Sequence, residues 1–171
     1  MTTAIKKSTA EIRTERLSAP AHSATLLIAC LWPKNGQNLG TTLRTCDAVG
    51  ASLVVPKGVN ATKAIRRGNT IGVHNSPVIE IDEGSHRWLY ERRSTHRIIG
   101  VELAHRAIPL RDLAPADGPT IAVLGHEVSG IPQAALHMCD EVVEIPMEGV
   151  GNSLNASVAA ALVLYKLKGW I

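Results

Sequence analysis

The chain has 171 residues, of which 45% are hydrophobic and 19% are charged, a composition typical of one globular domain. It contains no Phe and only 3% aromatic residues, which argues against base stacking as the main mode of binding. The longest apolar runs, residues 25–32 and 156–165, are shorter than the ~20 residues of a membrane-spanning helix. Residues 1–16 lack the apolar core of a signal peptide, and three scattered cysteines predict neither a disulfide framework nor a metal site. We therefore expect a cytoplasmic protein.

The charge is unevenly distributed along the chain. Residues 1–97 contain 14 Lys and Arg against 7 Asp and Glu, whereas residues 98–171 contain 4 against 8. A basic half beside an acidic half predicts that one side of the protein contacts a polyanion. The candidate phosphate contacts are Lys6, Lys7, Arg66, Arg67, Arg92, Arg93 and Arg97. Taken alone, each pair is more often a solvated helix face.

Apolar runs alternate with helical periodicities along the chain. Residues 1–23 are polar and predict a tail or a short peripheral helix. Strands are predicted at residues 25–31, 52–55, 77–81, 96–103, 120–124 and 141–145. Helices are predicted near residues 39–49 and at 61–67, 85–94 and 132–138, and Trp88 and Leu89 of the helix at 85–94 should face inward. A last helix is predicted from Ser153, with an inward stripe of Leu154, Val158, Leu162 and Tyr165. The alternation predicts one α/β domain over residues 24–171, with a mostly parallel sheet and helices on both faces.

Ligands of open α/β sheets bind at the carboxyl ends of the strands, which directs attention to the loops after Leu31, Leu103, Leu124 and Ile145. The loop at residues 125–132 has two glycines and a proline, so a tight turn would let its backbone approach a ligand. Glu127 in this loop could bind a substrate, hold a neighbouring loop or cap nearby N–H groups.

The loop after Ile145 contains Gly149-x-Gly151 but is not a dinucleotide fingerprint. Leu154 occupies the place of the third glycine, and no strand or acidic residue follows to hold a ribose. The loop instead delivers Ser153 and Asn155 to the start of a helix, where either could be an N-cap.

The loop after Leu31 leads into a helix that carries Arg44 beside its apolar stripe. Because a buried lone arginine is costly, Arg44 should point into a cavity or pair with an anion. The simplest alternative is an ordinary salt bridge with Asp47.

Together these three loops resemble the three signature motifs of the SpoU branch of the SPOUT RNA methyltransferases. The first motif is matched by Asn35, Asn38, Leu39, Gly40, Arg44, Thr45, Ala48 and Gly50. The second is matched by Leu124, Gly125, Glu127, Gly130 and Ile131, and the third by Ile145, Pro146, Met147, Gly149, Ser153, Leu154, Asn155 and Ser157. The resemblance covers roughly residues 25–168. His126 and Ala156 depart from the usual family residues, and His126 is the departure that bears on substrate fit.

The resemblance implies a SPOUT domain with a C-terminal trefoil knot that transfers a methyl group from S-adenosylmethionine to a ribose 2′-hydroxyl of RNA. It implies a homodimer in which Arg44 of one subunit faces the cofactor of the other. The cofactor-binding residues that it implies are Leu103, Gly125, Ile145, Met147, Ser153 and Leu154. No metal is implied, since the methyl group of a sulfonium is already activated.

The resemblance also assigns catalytic roles to Arg44, Asn38, Glu127, Ser153 and Asn155. Arginine keeps its proton in proteins, so we interpret Arg44 as an electrostatic and bidentate partner of the developing alkoxide and the adjacent phosphate. The proton would then leave through that phosphate or water. The other four residues would position the ribose and Arg44.

Two alternatives remain from the sequence, besides a small-molecule α/β enzyme that the basic half disfavours. A non-catalytic RNA-binding protein could use the same fold, although the retention of Arg44, Glu127 and Asn155 argues against it. Methylation of guanine N1 occurs in other SPOUT branches, whereas the run from Ser153 to Asn155 favours ribose. The bare core resembles the small transfer-RNA enzymes, so tRNA is expected rather than rRNA.

Overall fold

The computed structural model describes residues 6–17, 25–34, 36–58, 78–151 and 153–171. Within these ranges the elements are, in chain order, α1 (Thr9–Leu17), β1 (Leu26–Cys30), α2 (Gly36–Val49), β2 (Ser52–Pro56), β3 (Val78–Ile81), α3 (Ser85–Arg92), β4 (Arg97–Val101), β5 (Ile108–Pro109), a 3-10 turn (Leu110–Asp112), β6 (Thr120–Leu124), α4 (Gln133–Leu136), β7 (Glu141–Glu144) and α5 (Ala156–Leu167). The predicted helix at residues 61–67, with Arg66 and Arg67, lies outside the described residues.

The seven strands form one sheet in the order β3-β2-β1-β6-β4-β7-β5. Every neighbouring pair is parallel, which confirms the predicted parallel α/β architecture. The central strand β6 lies between β1 and β4, and β4 also pairs with β7. The carboxyl ends of β1, β6, β4 and β7 therefore lie side by side along one edge, where parallel sheets bind ligands.

Helices cover both faces of the sheet, as predicted. Successive residues of a strand point to opposite faces. Leu26 and Ile28 of β1 pack in one cluster with α2 and α5, and Leu27 and Ala29 pack in a second cluster with Trp88 and other residues of α3 and α4. Burial on both faces explains why β1 reads as an unbroken apolar run.

The last helix differs from its prediction in its start and in its buried face. α5 begins at Ala156 with Asn155 as its N-cap, so Ser153 precedes the helix. The side chains predicted to face inward at Leu154 and Val158 are 39% and 47% exposed. The buried positions are Ser157, Ala159, Ala160, Val163, Leu164 and Leu167. The prediction of the buried face was wrong because the helix carries apolar residues nearly all round. The spacing of apolar residues then does not distinguish one face from another.

Three smaller differences concern element length. The fourth predicted strand ends at Val101, the predicted helix at residues 132–138 is the single turn α4, and β5 was not predicted at all. A two-residue strand that contains Pro109 carries no alternation to detect. Trp88 and Leu89 are buried as predicted. In the described ranges no helix combines the length and apolarity that a membrane span requires. The threading of a knot stays a prediction.

Candidate active site

A cavity of about 860 Å³, including its open mouth, lies at the carboxyl ends of β4, β6 and β7. All six residues predicted to bind a cofactor line it: Leu103, Gly125, Ile145, Met147, Ser153 and Leu154. The remaining lining comes from Val101, Glu102, Leu124, His126, Glu127, Val128, Gly130, Ala156 and Ala159. The fold thus converts three loops that are far apart in sequence into the wall of one pocket.

A chain of side-chain hydrogen bonds joins these loops to the start of α2. The amide of Asn38 donates to Glu127 Oε1 at 3.0 Å, and the backbone N–H of Lys34 donates to Glu127 Oε2 at 2.9 Å. The amide of Asn155 donates to Asn38 Oδ1 at 3.0 Å. Three of the five predicted catalytic residues are therefore in direct contact. These bonds match two of the roles considered for Glu127, holding a neighbouring loop and capping a nearby N–H group, and a contact with substrate stays a prediction.

Asn155 has a second role at the start of α5. Its Oδ1 accepts hydrogen bonds from the backbone N–H of Ser157 at 2.9 Å and from the Ser157 hydroxyl at 2.7 Å. An N-cap of this kind satisfies a donor that the first turn of a helix leaves free. Because the first turn of α5 holds the side-chain oxygen of Asn155, the NH2 group of the same side chain is directed toward Asn38.

The turn from Gly125 to Gly130 is as tight as predicted. His126 and Gly130 exchange two backbone hydrogen bonds of 2.9 Å and 2.8 Å, and Gly130 has a φ of +69°. A side chain on Gly125 would collide with the backbone of Gly130 and Ile131. His126 Nδ1 accepts from the backbone N–H groups of Val128 and Ser129 at 3.1 Å and 3.3 Å. An accepting Nδ1 places the proton of a neutral imidazole on Nε2.

Glu102 is a cavity residue that the sequence reasoning missed. Its Oε2 accepts from the backbone N–H of Ile131 at 2.8 Å, and its Oε1 accepts from the N–H of Leu103 at 3.0 Å. Its carboxylate also occupies the space that a side chain on Gly130 would need. The available signal was a carboxylate placed directly after a buried strand, at the end where ligands bind.

Arg44 lies outside the cavity of its own chain, and its implied position facing the cofactor of a second subunit stays a prediction. It is exposed on α2, does not line the cavity of its own chain, and makes no hydrogen bond or ion pair within the described ranges. The salt bridge with Asp47, considered as the simplest alternative, is therefore absent from the described residues. Exposure removes the desolvation cost that led us to expect an anionic partner or a cavity.

Three arginines at the end of α3 and the start of β4, Arg92, Arg93 and Arg97, differ in their side-chain contacts. The guanidinium of Arg92 lies 4.1 Å from the centre of the Trp88 ring, donates to the Trp88 carbonyl and approaches Glu83 at 3.7 Å. Arg97 pairs with Glu141 at 2.6 Å. Arg93 is exposed and its side chain has no partner in the part of the chain that the structure describes. Arg93 is therefore better placed than Arg92 for a phosphate contact.

The cysteines are unsuited to nucleophilic chemistry. Burial raises the pKa of the Cys30 thiol to about 12, with a further contribution from the negative charge of Glu127. Burial likewise raises the pKa of Cys46, and that of Cys139 to about 11. Because the thiolate is the reactive form, these side chains serve as packing.

A parallel sheet whose strand ends surround a cavity defines a ligand-binding α/β domain. The sequence model of the SpoU rRNA Methylase family matches residues 25–165, and the chain belongs to this family.

Individual relatives agree with that assignment. A tRNA (guanosine(18)-2′-O)-methyltransferase of Aquifex aeolicus is 32% identical over 135 residues, which cover 78% of this chain and 64% of that protein. A Staphylococcus haemolyticus protein named for the TrmH family of tRNA/rRNA methyltransferases is 35% identical over 133 residues, covering 76% of this chain and 53% of that protein. The chain thus spans between half and two thirds of these relatives.

Solved structures share the fold. The TrmH/SpoU tRNA modifying enzyme of A. aeolicus superposes with a TM-score of 0.74 at 25% identity, covering 94% of this chain and 83% of that chain. The SpoU methyltransferase AviRb of Streptomyces viridochromogenes, in complex with AdoMet, superposes with a TM-score of 0.64 at 25% identity, covering 88% of this chain and 65% of that chain. The predicted α/β fold of the SPOUT class is confirmed.

Proposed function

We propose that this protein transfers a methyl group from S-adenosylmethionine to a ribose 2′-hydroxyl of RNA. The observation that carries the proposal is the hydrogen-bonded chain from Glu127 through Asn38 to Asn155 beside the cavity. It aligns polar groups from all three motif loops next to the pocket. The names of the relatives support the same reaction.

The cavity suits a ligand with an apolar ring system and a positive charge. Leu103, Leu124 and Ile145 give it an aliphatic wall, and Glu102 and Glu127 contribute carboxylates. S-adenosylmethionine supplies, when bound, a methyl group activated by the positive charge of its sulfonium. The residues that would hold it are the six predicted from the sequence, from Leu103 to Leu154.

The side chains around the mouth of the cavity would have different roles in the reaction. Asn38, Glu127 and Asn155 hold one another and would fix the ribose for in-line attack, with Ser153 exposed beside them. Arg44 would stabilise the negative charge that develops on the ribose oxygen, and the hydroxyl proton would leave through the adjacent phosphate or water.

We propose that the protein is a homodimer, because Arg44 is absent from the cavity of its own chain and a second copy can supply it. The exposed face of α5 offers the apolar surface for this contact. Val158 on α5 is 47% exposed there, and Leu154, two residues before the helix, is 39% exposed. A helix that is apolar nearly all round requires cover on the side that its own domain leaves open.

The substrate that we propose is tRNA rather than rRNA, modified in the cytoplasm. The basic N-terminal half supplies the charge, with Arg93, Arg66 and Arg67 as the principal phosphate contacts. The preference for tRNA rests on the resemblance to the small transfer-RNA enzymes and on the tRNA methyltransferase of A. aeolicus. Residues 24–171 would form the catalytic domain and residues 1–23 a peripheral segment.

The decisive experiment is to incubate the protein with labelled S-adenosylmethionine and with tRNA or rRNA from a strain that lacks its gene. We expect labelled 2′-O-methylnucleosides from tRNA after nuclease digestion and mass spectrometry. Labelled 1-methylguanosine would favour base methylation instead. RNA binding with no measurable affinity for S-adenosylmethionine would favour a non-catalytic RNA-binding protein.

A further inference from the structure

Among the described residues, the charged side chains that line the cavity are acidic. The described residues that line it include two carboxylates, Glu102 and Glu127, and no Lys or Arg. His126 is the remaining titratable side chain among them, and its Nδ1 faces the backbone N–H groups of Val128 and Ser129 within its own turn. The described wall is therefore negative.

The two carboxylates are directed differently. Glu127 is bound by Asn38 and the Lys34 backbone, on the side of α2. Glu102 is half-buried at the end of β4, and two backbone N–H groups, those of Ile131 and Leu103, fix both of its oxygens. A carboxylate oxygen can accept more than one hydrogen bond, so Glu102 keeps acceptor capacity toward the cavity.

We infer that Glu102 makes the cavity select ligands by charge, favouring a cation over the same ligand in its neutral form. The inference rests on the proposed function. S-adenosylmethionine and S-adenosylhomocysteine differ by one methyl group and by the positive charge of the sulfonium. Glu102 therefore favours the methyl donor over the spent product and helps the product to leave.

The physical basis is the low dielectric of a half-buried site. A fixed carboxylate attracts a cation more strongly there than in water, since less solvent screens the pair. The backbone hydrogen bonds of Glu102 hold it in place without supplying a full positive charge. An arginine from a second copy would repel the cationic ligand in wild type and in every Glu102 variant alike, so the change that a Glu102 substitution causes still reports the charge of Glu102.

Calorimetric titration of three ligands tests the inference: S-adenosylmethionine, S-adenosylhomocysteine and sinefungin, which carries an amine cation in place of the sulfonium. We expect Glu102→Gln to weaken both cationic ligands about tenfold and the neutral ligand no more than about twofold. The amide also leaves one backbone N–H without its acceptor, but this structural effect is common to all three ligands and cancels in the ratio.

Two matched variants complete the experiment. Glu102→Asp keeps the charge and should keep the selectivity ratio within about threefold. Glu148→Gln removes a carboxylate from an exposed position that does not line the cavity, and it should leave all three affinities unchanged. A variant series with these results would assign the effect to charge at one place rather than to the net charge of the protein.

The opposing outcomes are distinct. Equal losses for all three ligands in Glu102→Gln would reduce Glu102 to a loop anchor and overturn the inference alone. Wild-type protein that binds S-adenosylhomocysteine as tightly as the cationic ligands would overturn it without any variant. Wild-type protein that binds none of them would overturn the proposed cofactor, and the inference with it.

Discussion

The side-chain amide of Asn155 donates a 3.0 Å hydrogen bond to Asn38, a residue 117 positions earlier in the chain. The bond ties the start of α5 to the first turn of α2, on the sheet face where these two helices pack together. The oxygen of the same side chain caps α5. The helix cap and the proposed catalytic contact therefore use different atoms of one residue, and substitutions can separate them.

Replacement of Asn155 tests this division. Asn155→Ala should lower the free energy of unfolding by about 1 kcal/mol, since α5 loses its N-cap, and should also lower methyl transfer. Asn155→Asp keeps the capping oxygen but cannot donate to Asn38, so we expect near-normal stability with low activity. Urea unfolding and methyl incorporation give the two readouts. Full activity in the Asp variant would show that the bond to Asn38 is dispensable.

Arg44→Ala should reduce methyl transfer by about two orders of magnitude or more while cofactor affinity stays unchanged. The reason is that one donor to a developing oxyanion is typically worth ~3–4 kcal/mol. Single-turnover rates and calorimetry measure the two quantities. Arg111→Ala, which removes another exposed arginine, serves as the control and should behave like wild type. Near-normal turnover in Arg44→Ala would refute the role of Arg44.

Val158→Glu should convert a dimer to a monomer, because it places a charge on the exposed apolar face of α5. Activity should fall with the dimer if a second copy supplies Arg44. Light scattering and methyl incorporation on the same samples give the result. Tyr90→Glu, on the exposed face of α3 where Tyr90 is 62% exposed, is the matched change and should leave the dimer intact. Monomeric wild-type protein at micromolar concentration would contradict both the dimer and the shared site.

Binding to RNA should weaken steeply with salt and depend on Arg66, Arg67 and Arg93. The double variant Arg66→Ala, Arg67→Ala and the single variant Arg93→Ala should each flatten the plot of log affinity against log salt, by roughly one unit per arginine. All RNAs should weaken alike, since phosphate contacts do not read sequence. Arg92→Ala should keep the slope and instead lose about 1 kcal/mol of stability with its stack on Trp88. Unchanged slopes would indicate that RNA binds to another surface of the protein. The next basic residues to test would be Lys6, Lys7, Arg13 and Arg16.

Cys30 should make the protein less stable at alkaline pH. The usual pKa of 9.0 applies to the unfolded chain, whereas burial raises the folded pKa to about 12. The contribution of Cys30 is therefore complete below pH 9, where both states hold the proton, and declines as the pH rises toward 12. Cys30→Ala should reduce the slope of unfolding free energy against pH by up to about 1.4 kcal/mol per unit within that window.

Urea unfolding at roughly pH 8 and pH 10 measures this slope. The small void left by Cys30→Ala lowers stability equally at both values, so it does not change the slope. Identical slopes in wild type and variant would mean that Cys30 keeps no abnormal pKa in the folded state.

Much of the fold could be predicted because its strands carry strong local signals. β6 was predicted at its observed bounds and β1 within one residue at each end, since both are continuous apolar runs between polar segments. The buried face of α5 could not be predicted, because its apolar residues surround the helix and the choice depends on packing against α2. Arg92 illustrates the same limit, since its contact with Trp88 is invisible in a run of basic residues.

The sequence predicted the residues of the candidate site that belong to the three motifs, but not the others. The six expected cofactor residues converge on one cavity because their loops follow adjacent parallel strands. Glu102 belongs to none of those motifs, and its hydrogen bond to Ile131 spans 29 positions between two separate loops. Arg44 was identified from its motif, and its implied position at the cofactor of a second subunit stays a prediction, because a single chain holds only its exposed surroundings on α2.

The short strand β5 restricts how copies of this protein can associate. It forms one margin of the sheet with two residues, and Pro109 has no N–H to offer to a further strand. The 3-10 turn that follows immediately turns the backbone away from an extended path. The β5 margin is therefore a poor template for an incoming strand, which disfavours amyloid-like strand addition at this edge of the sheet.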